Sequence, residues 1–409
     1  METLPKNNGE ILEENNTNAN AETELFQDPE EMTDLERIRR RELEIVAENS
    51  DVLGYNIDSK LIIYPERRAQ ALKAKEFLDS GGDISVLSTQ YGRSAKHIKE
   101  AIEDELFKDQ LLDDTLAKLP SGTRFRINPH APLSAFSVAN SMYIKENGEK
   151  AIHIDDDAIA QVRKIKEKAA SAELVVVMNQ FHIGEDGKPT SNIPENADDY
   201  IALCEAFIEQ SEYSEQSGKG LVLELGNECN MCHSHGGVFE SEAFAEHVNL
   251  EQYASFYFET AKVLKLKYPD LKLSLTGVAF CDVDFIEQVV NKIQERKERE
   301  NIELNLIDII SFHPYRRTVN EASPVVDGES FGNNTGQSFD GQLEVLRKIA
   351  KPLGAEVTIG EISFYKNNWG ESVNENEQVK NAVHGREKGY FSYIWPGEQI
   401  VKYEKPNNP

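Results

Sequence analysis

The sequence lacks long apolar runs, a secretory leader pattern and a rich supply of cysteine. No stretch approaches the roughly 20 apolar residues that a helix needs to cross a bilayer. The opening METLPKNNGEILEENNTNANAETE has neither the basic nor the apolar region of a signal peptide. Four cysteines in 409 residues do not make a disulfide scaffold. These absences argue against a membrane protein and predict a cytoplasmic chain.

Basic residues are also scarce. The chain has 44 Lys and Arg residues against 72 Asp and Glu residues, a formal net charge of −28 at pH 7. Charge of this sign disfavours attraction of the whole protein to nucleic acid or anionic lipid. No period of 20 to 50 residues repeats visibly, which excludes a solenoid. Hydrophobic residues make up 39% of the chain, an ordinary share for a soluble protein that buries a core.

Composition divides the chain into three parts. Residues 1–32 are rich in Asn, Glu and Thr and poor in apolar side chains, which predicts a disordered acidic tail. Residues 33–108 carry long charged helical patterns and are predicted to form a helical appendage. From 109 to 409, short β-branched runs alternate with longer amphipathic stretches. Such alternation predicts βα units around a parallel sheet.

Seven strands are visible in this last part. They are TRFRIN (123–128), ELVVVMN (173–179), GLVLEL (220–225), LKLSLTG (271–277), LIDIISF (306–312), AEVTIG (355–360) and YFSYIW (390–395). A doubly wound sheet would satisfy the alternation as well as a barrel would. A closed barrel needs an eighth strand before the LLDDTLAKLP helix, and SKLIIYP (59–65) is the best candidate.

Polar and aromatic side chains fall at or near the ends of six strands, which favours the barrel because barrel enzymes carry their chemistry at the carboxyl ends of strands. The residues are Arg126, Gln180 with His182, Asn227 with Glu228, His313 with Tyr315, Glu361, and Trp395. The predicted fold is therefore α/β, a (β/α)8 TIM barrel with an N-terminal helical appendage and a disordered acidic tail.

The segments LVLELGNE, ISFHPY, VTIGEISFY and YFSYIW, in this order, resemble clan A glycoside hydrolases. These are retaining (β/α)8-barrel enzymes with an Asn-Glu pair closing the fourth strand and a Glu closing the seventh. The resemblance covers roughly residues 110–400. It implies that Glu228 is the acid/base and Glu361 the nucleophile of a glycosidase acting on a β-linked oligosaccharide or glycoside, with a carbohydrate as the partner and no cofactor.

The same resemblance implies roles for other residues. Asn227 would bond the 2-hydroxyl of the sugar at the cleaved bond, and Arg126 would hold the nucleophile ionised. His313 and Tyr315 match a pair on the sixth strand, with Tyr315 donating to Glu361.

Two aromatic positions extend the implied substrate site. Trp395 would be the platform under the sugar ring, and His182 would line the same subsite. Long polysaccharide grooves are commonly paved with aromatic rings, and the chain has only two tryptophans. A short substrate is therefore expected, with Trp369 as a candidate for one further subsite.

The chemistry of Glu228 and Glu361 as a pair can be argued without the family resemblance. Retention needs two carboxyl groups about 5–5.5 Å apart, one attacking the anomeric carbon and one protonating the leaving oxygen. Two anions that close do not both ionise readily, so one keeps its proton. The alternative interpretation is that Glu228 and Glu361 are ordinary polar caps on buried strands.

A Cys/His cluster directly follows Glu228 and consists of Cys229, Cys232, His233 and His235. Its C-x-x-C-H spacing matches c-type haem attachment, but such attachment requires export. Two thiols and two imidazoles also suit zinc, although four ligands in one short loop close a tetrahedron poorly. A reversible disulfide, or a substrate-side loop with incidental thiols, would explain the cluster as well, and no metal is predicted.

Residues 83–102, DISVLSTQYGRSAKHIKEAI, fit a helix-turn-helix pattern, with Gly92 at the turn and Ser94 before the second helix. The second helix would expose four groups suited to phosphate contact, Arg93, Lys96, His97 and Lys99. A helical cap or a protein-docking module explains the pattern equally well. The alternative function is accordingly a sugar-responsive regulator that binds DNA or protein through this module, and a haem or zinc protein is the third.

Overall fold

The computed structural model describes residues 43–44, 46–50, 53–58, 61, 65–91, 94–106, 108–128, 136–145, 147–180, 182–184, 189–190, 193–194, 196–230, 250–279, 282–313, 339–362 and 391–394. The acidic tail predicted for residues 1–32 lies outside these ranges.

The strands of the described ranges are given in chain order. They are β1 (Leu53–Asp58), β2 (Phe125–Asn128), β3 (Met142–Ile144), β4 (Lys150–Ile152), β5 (Leu174–Met178), β6 (His182–Ile183), β7 (Pro189–Thr190), β8 (Leu221–Leu225), β9 (Lys272–Ser274), β10 (Val278–Ala279), β11 (Ile309–His313), β12 (Glu356–Ile362) and β13 (Phe391–Ile394). Two antiparallel hairpins, β3–β4 and β6–β7, stand apart from a larger sheet of nine parallel strands.

The large sheet curls until its pairings return to their starting point. Strand β1 pairs with β2 on one side and β13 on the other, and β11 pairs with both β9 and β12. The path from β1 runs through β2, β5, β8, β9, β11, β12 and β13, and β10 also pairs with β11. A curled parallel sheet of this kind is a TIM-like α/β fold, as the polar residues at the predicted strand ends indicated.

Side-chain alternation along each strand separates the inside of the sheet from the outside. Val175, Val222, Ile309 and Tyr393 form a small buried cluster of their own inside the sheet. The neighbouring outward residues, such as Val176, join a much larger core that includes helix residues. Successive side chains of a strand point to opposite faces, so continuous apolar runs are needed to fill both layers.

The helices lie between the strands in the chain. They are α1 (Pro65–Asp79), α2 (Ile84–Tyr91), α3 (Ala95–Leu106), α4 (Lys108–Lys118), α5 (Val138–Ser141), α6 (Asp156–Ala169), α7 (Asp198–Gln210), α8 (Leu250–Lys267), α9 (Val283–Arg299) and α10 (Phe339–Ala350). Asp155 caps α6 by accepting bonds from two backbone N–H groups, and Asp282 caps α9 from one. Of the helices described, none is long and apolar enough to span a membrane.

The prediction of the first strand at 59–65 was wrong. That strand is β1, Leu53–Asp58, while Leu61 lies in a turn and α1 begins at Pro65. The sequence LGYNID escapes a search for continuous apolar runs because Gly54 and Asn56 occupy its interior positions. A Cβ atom on Gly54 would lie 2.6 Å from the Tyr393 ring, so the interior has no room for a larger residue there.

The helical part is therefore inserted into the barrel and does not simply precede it. Strand β1 falls within residues 33–108, which were assigned to an appendage, and α1 to α3 follow it before β2. These three helices share a small core made of Ala71, Ala74, Leu87, Ile98 and Ile102. Arg68 of α1 ties this module to the barrel by contacting Asp109 of α4 at 3.0 Å and Asp157 of α6 at 3.9 Å.

Both helices of the predicted helix-turn-helix segment form, as α2 and α3. Leu87, Ile98 and Ile102 are buried together, and Lys96 and Lys99 are exposed. Gly92, Arg93 and the side chain of His97 lie outside the described part of the chain. Binding of nucleic acid or protein through this segment stays a prediction.

Candidate active site

The site begins with β2, whose last residues face the inside of the curled sheet. Arg126 and Asn128 are two positions apart, so their side chains point to the same face. Both are fully buried. Buried polar groups need partners, and the Arg126 guanidinium and the Asn128 Nδ2 find theirs on strands that are distant in the sequence.

The Arg126 guanidinium is held between two carboxylates. Its Nε and Nη2 donate to Glu224 of β8 at 3.1 and 2.6 Å, and its Nη1 donates to Oε1 of Glu361 at 2.7 Å. Burial lowers the pKa of Arg126, but the charges of Glu224 and Glu361 raise it by more, and the net direction is upward. The guanidinium is therefore a fixed positive charge beside Glu361.

Two asparagines complete the surroundings of this charge. Asn128 Nδ2 donates to Oε1 of Glu361 at 2.8 Å and to Oδ1 of Asn227 at 3.1 Å. Asn56 of β1 accepts from Arg126 Nη1 at 3.2 Å and donates to the backbone oxygen of Gly360 at 3.2 Å. Oε1 of Glu361 thus accepts two bonds, both from donors that favour its ionised form.

His313, the last residue of β11, is fully buried and connects the arginine to the second carboxylate. Its Nε2 lies 3.4 Å from Arg126 Nη2, and its Nδ1 lies 2.9 Å from Oε1 of Glu228. A guanidinium can only donate, so Nε2 must be the acceptor. The proton of the neutral imidazole is then on Nδ1, which donates to Glu228.

Two glycines make room for the imidazole. A Cβ atom on Gly277 would lie 2.2 Å from His313 Nε2, and one on Gly360 would lie 3.1 Å from the same atom. The backbone N–H of Gly277 also donates to Glu224 Oε1 at 3.1 Å. Small residues at these positions let the backbone approach polar side chains closely.

The turn after β8 presents Glu228 in a strained conformation. Gly226 has φ +88°, and a Cβ atom on it would lie 2.4 Å from the Cys229 sulfur. Glu228 has φ +48°, the left-handed region that a non-glycine residue seldom adopts. Gln180 holds the turn by accepting from the N–H of Asn227 at 3.1 Å and donating to its carbonyl at 3.3 Å. Strained residues of this kind concentrate at functional sites.

The turn and β12 bring the two glutamates together at one end of the sheet. One oxygen each of Glu228 and Glu361 and one nitrogen of His313 lie within 4.8 Å of one another. Glu361 is buried, and Glu228 is partly accessible.

The ligand atoms of this trio lie close enough together to hold a metal ion. The hydrogen bonding around it opposes that role, because Nδ1 of His313 carries a proton and Arg126 already places a positive charge on Glu361. We interpret the trio as a proton-handling site.

Five of the predicted site residues meet in this network. They are Arg126, Asn227, Glu228, His313 and Glu361. His182 is partly buried in β6, and its Nδ1 lies 3.3 Å from the backbone oxygen of Gln180. Tyr315, Trp369 and Trp395 lie outside the described residues.

The predicted Cys/His cluster lies largely beyond the described chain, which breaks off at Asn230 and resumes at Leu250. Cys229 is the one member inside it, and its thiol is buried against Gly226. Cys232, His233 and His235 lie outside. Metal binding and disulfide formation by this cluster were open alternatives and stay untested.

Sequence reasoning missed three members of the network, Asn56, Asn128 and Glu224. A signal existed for two of them. Glu224 is a charged residue inside the apolar strand LVLEL, and Asn128 closes TRFRIN in register with Arg126. Charged residues are almost never fully buried unless they are paired, so Glu224 required a cationic partner. Asn56 lay in a strand that was not recognised.

Comparison with known proteins gives no match to a family model and none to a curated protein. Solved structures that resemble the chain include glycoside hydrolases of families 5 and 44. A family 44 endoglucanase from Clostridium thermocellum is 12% identical with TM-score 0.39, over 60% of this chain and 61% of that one. A family 5 broad-specificity endoglucanase from Ruminococcus flavefaciens is 14% identical with TM-score 0.42, over 87% and 86%.

A family 5 xyloglucanase from Paenibacillus pabuli is 13% identical with TM-score 0.40, over 68% of this chain and 79% of that one. The chain thus spans less than two thirds of the first of these structures. Identities and TM-scores of this size carry no argument about activity. What the protein does must therefore be inferred from its own site.

Proposed function

We propose that the chain is a retaining glycoside hydrolase, with Glu361 as the nucleophile and Glu228 as the acid/base. The observation that carries this proposal is the approach of the two carboxylates within 4.8 Å across the strand ends. Retaining enzymes need carboxyl groups about 5–5.5 Å apart, whereas inverting enzymes need about 6.5–9.5 Å to admit water. The spacing therefore favours double displacement.

The two carboxylates have different surroundings, and this difference supports a different role for each. Arg126 and Asn128 both donate to Glu361, which favours its charged, nucleophilic form. Glu228 is the more accessible of the two, as an acid that meets the leaving group needs to be. Two neighbouring carboxyls in unlike environments separate naturally into an anion and an acid.

In the first step an oxygen of Glu361 attacks the anomeric carbon while the bond from that carbon to the leaving oxygen breaks. The proton of Glu228 moves to the leaving oxygen, which departs as an alcohol. The product is a glycosyl ester of Glu361 and an ionised Glu228. In the second step Glu228 takes a proton from water, the water oxygen bonds to the anomeric carbon, and the ester bond breaks to restore both groups.

The substrate class is inferred from the groups around the two glutamates and from the number of tryptophans. Asn227, held by Asn128 and Arg126 through its Oδ1, keeps its amide N–H groups for a sugar hydroxyl. His182, Tyr315 and Trp395 are proposed to line the sugar subsite. A β-linked oligosaccharide or short glycoside suits a chain with two tryptophans.

A panel of aryl β-glycosides (glucoside, galactoside, mannoside, xyloside and fucoside) tests the proposal, and at least one is expected to be cleaved with retention. Glu361→Gly should then lose on the order of 10⁴-fold or more in activity, and azide or formate should restore part of it. Glu356→Gln, on the same strand but at its opposite end, is the control and should stay active. Sugar binding without cleavage across the panel would instead favour the regulatory alternative.

A further inference from the structure

Glu224 is a buried carboxylate without a role in the two chemical steps. It lies on β8, four residues before Glu228, with 1% of its surface exposed. Its two oxygens take two bonds from Arg126, and Oε1 takes a third from the N–H of Gly277. Burying an anion costs free energy of folding unless a paired cation offsets the lost hydration. For Glu224 that cation is Arg126.

The charges of the network change during turnover. In the free enzyme Arg126 faces two carboxylates, Glu224 and Glu361. When Glu361 becomes an ester, its negative charge disappears while Arg126 stays ionised and fully buried. A buried charge that loses its partner destabilises the state that contains it. Something other than Glu361 must therefore neutralise Arg126 in the covalent intermediate.

The geometry of Glu224 suits this task. It engages Nε and Nη2 of the guanidinium together, a two-point contact that fixes the plane of the group. Nη1 is then left to point at Oε1 of Glu361. The contact to Glu361 is a single bond, so the stronger and permanent pairing of Arg126 is with Glu224.

We propose that Glu224 is a positioning residue, a permanent counter-ion that orients Arg126 towards Glu361 and keeps it paired while Glu361 is esterified. This inference rests on the proposed function. Removal of the Glu224 charge should make Arg126 hold Glu361 more firmly as a free carboxylate. Ester formation should then become slower, and breakdown of the ester should become faster, because the departing group is the stabilised carboxylate.

The test compares wild type with Glu224→Gln, using an aryl glycoside for ester formation and a 2-deoxy-2-fluoro glycoside to trap the ester. In E224Q we expect kcat/KM to fall by about 10²-fold and the trapped ester to hydrolyse faster than in wild type. The acid limb of kcat/KM against pH should move down by about one pH unit. A merely structural defect would slow both steps and leave that limb in place, which would overturn the inference.

Asn56→Ala is the matched control, because it removes a neutral acceptor from the same guanidinium. The acid limb of its kcat/KM profile should match that of wild type. A shift equal to that of E224Q would overturn the role assigned to the Glu224 charge. If E224Q does not fold, Glu224→Asp replaces it, because Asp keeps the negative charge. In E224D both the acid limb and the hydrolysis rate of the trapped ester should match wild type, whereas a shifted limb or slower ester hydrolysis would overturn the inference.

Failure of the inference and failure of the proposed function give different results. If wild type cleaves no glycoside, or E361G stays active, both ideas fall together. If wild type cleaves, E361G is inactive and rescued by azide, and E224Q keeps the wild-type profile, only the role of Glu224 falls.

Discussion

His313 donates from Nδ1 to Glu228 while its Nε2 accepts from Arg126, so one buried ring joins the charged arginine to the proposed acid/base. The amide nitrogen of Asn can replace Nδ1 of a histidine, and that of Gln can replace Nε2. We therefore expect His313→Asn to keep more activity than His313→Gln, which should lose about 10²-fold in kcat/KM. Steady-state kinetics of the two variants measures this, and equal losses would contradict the assigned tautomer.

Asn128 offers a test of the charge on Glu361. Asn128→Ala removes a donor to Oε1, whereas Asn128→Asp places a second anion against an oxygen only 2.8 Å away. We expect the Asp variant to be the less active of the two, because like charges at that distance do not both ionise readily. Comparison of kcat/KM decides, provided that circular dichroism shows both variants folded.

Gly277 is expected to be intolerant of any side chain. A Cβ atom there would lie 2.2 Å from His313 Nε2 and 2.9 Å from Glu224 Oε1, and both of these groups are buried. Gly277→Ala should cost about 1–3 kcal/mol of stability and most of the activity. Wild type is the reference in thermal melts. A melting curve of Gly277→Ala that matches wild type would refute the close packing.

The end of α9 provides a pH-dependent stability test far from the site. Hydrogen bonds from Arg296 and Lys262 hold the pKa of Glu300 below its ordinary value of 4.5. A carboxyl with a lowered folded pKa stabilises the protein above its unfolded pKa, and loses that effect as the pH falls through the folded one.

Glu300→Gln should therefore lower Tm at pH 7 and have little effect at pH 3. Glu298→Gln, on the same helix, is the matched control. A Tm difference that persists in acid would contradict the ion-pair assignment.

Chelation should leave hydrolysis intact. The proton on His313 Nδ1 and the positive charge of Arg126 oppose a cation between the two glutamates. We expect activity after dialysis against EDTA to equal the starting activity. A loss that zinc restores would instead support a metal role for the trio or for the cluster that follows Glu228.

The sequence predicted those parts of the fold and site that follow from local pattern. Strand β5 carries apolar side chains on both faces, so its run LVVVM is continuous and easily found. Strand β1 was missed because its interior positions, Gly54 and Asn56, are shaped by Tyr393 and Arg126, which are distant in the chain.

The site residues also include some that the local sequence reveals and some that it does not. The two glutamates could be found because each lies at or near the end of a recognisable strand. The pairing of Glu224 with Arg126 depends on strand register across the sheet, which the local sequence does not specify.

The backbone conformation of Glu228 lowers the stability of the fold, whereas its carboxylate is proposed to act in catalysis. Its φ of +48° suits glycine, and a side chain there costs of order 1 kcal/mol. Glu228→Gly should thus fold more stably than Glu228→Gln, although both lack the acid. Folding alone would therefore favour glycine at this position, and the carboxylate is present at a cost in stability.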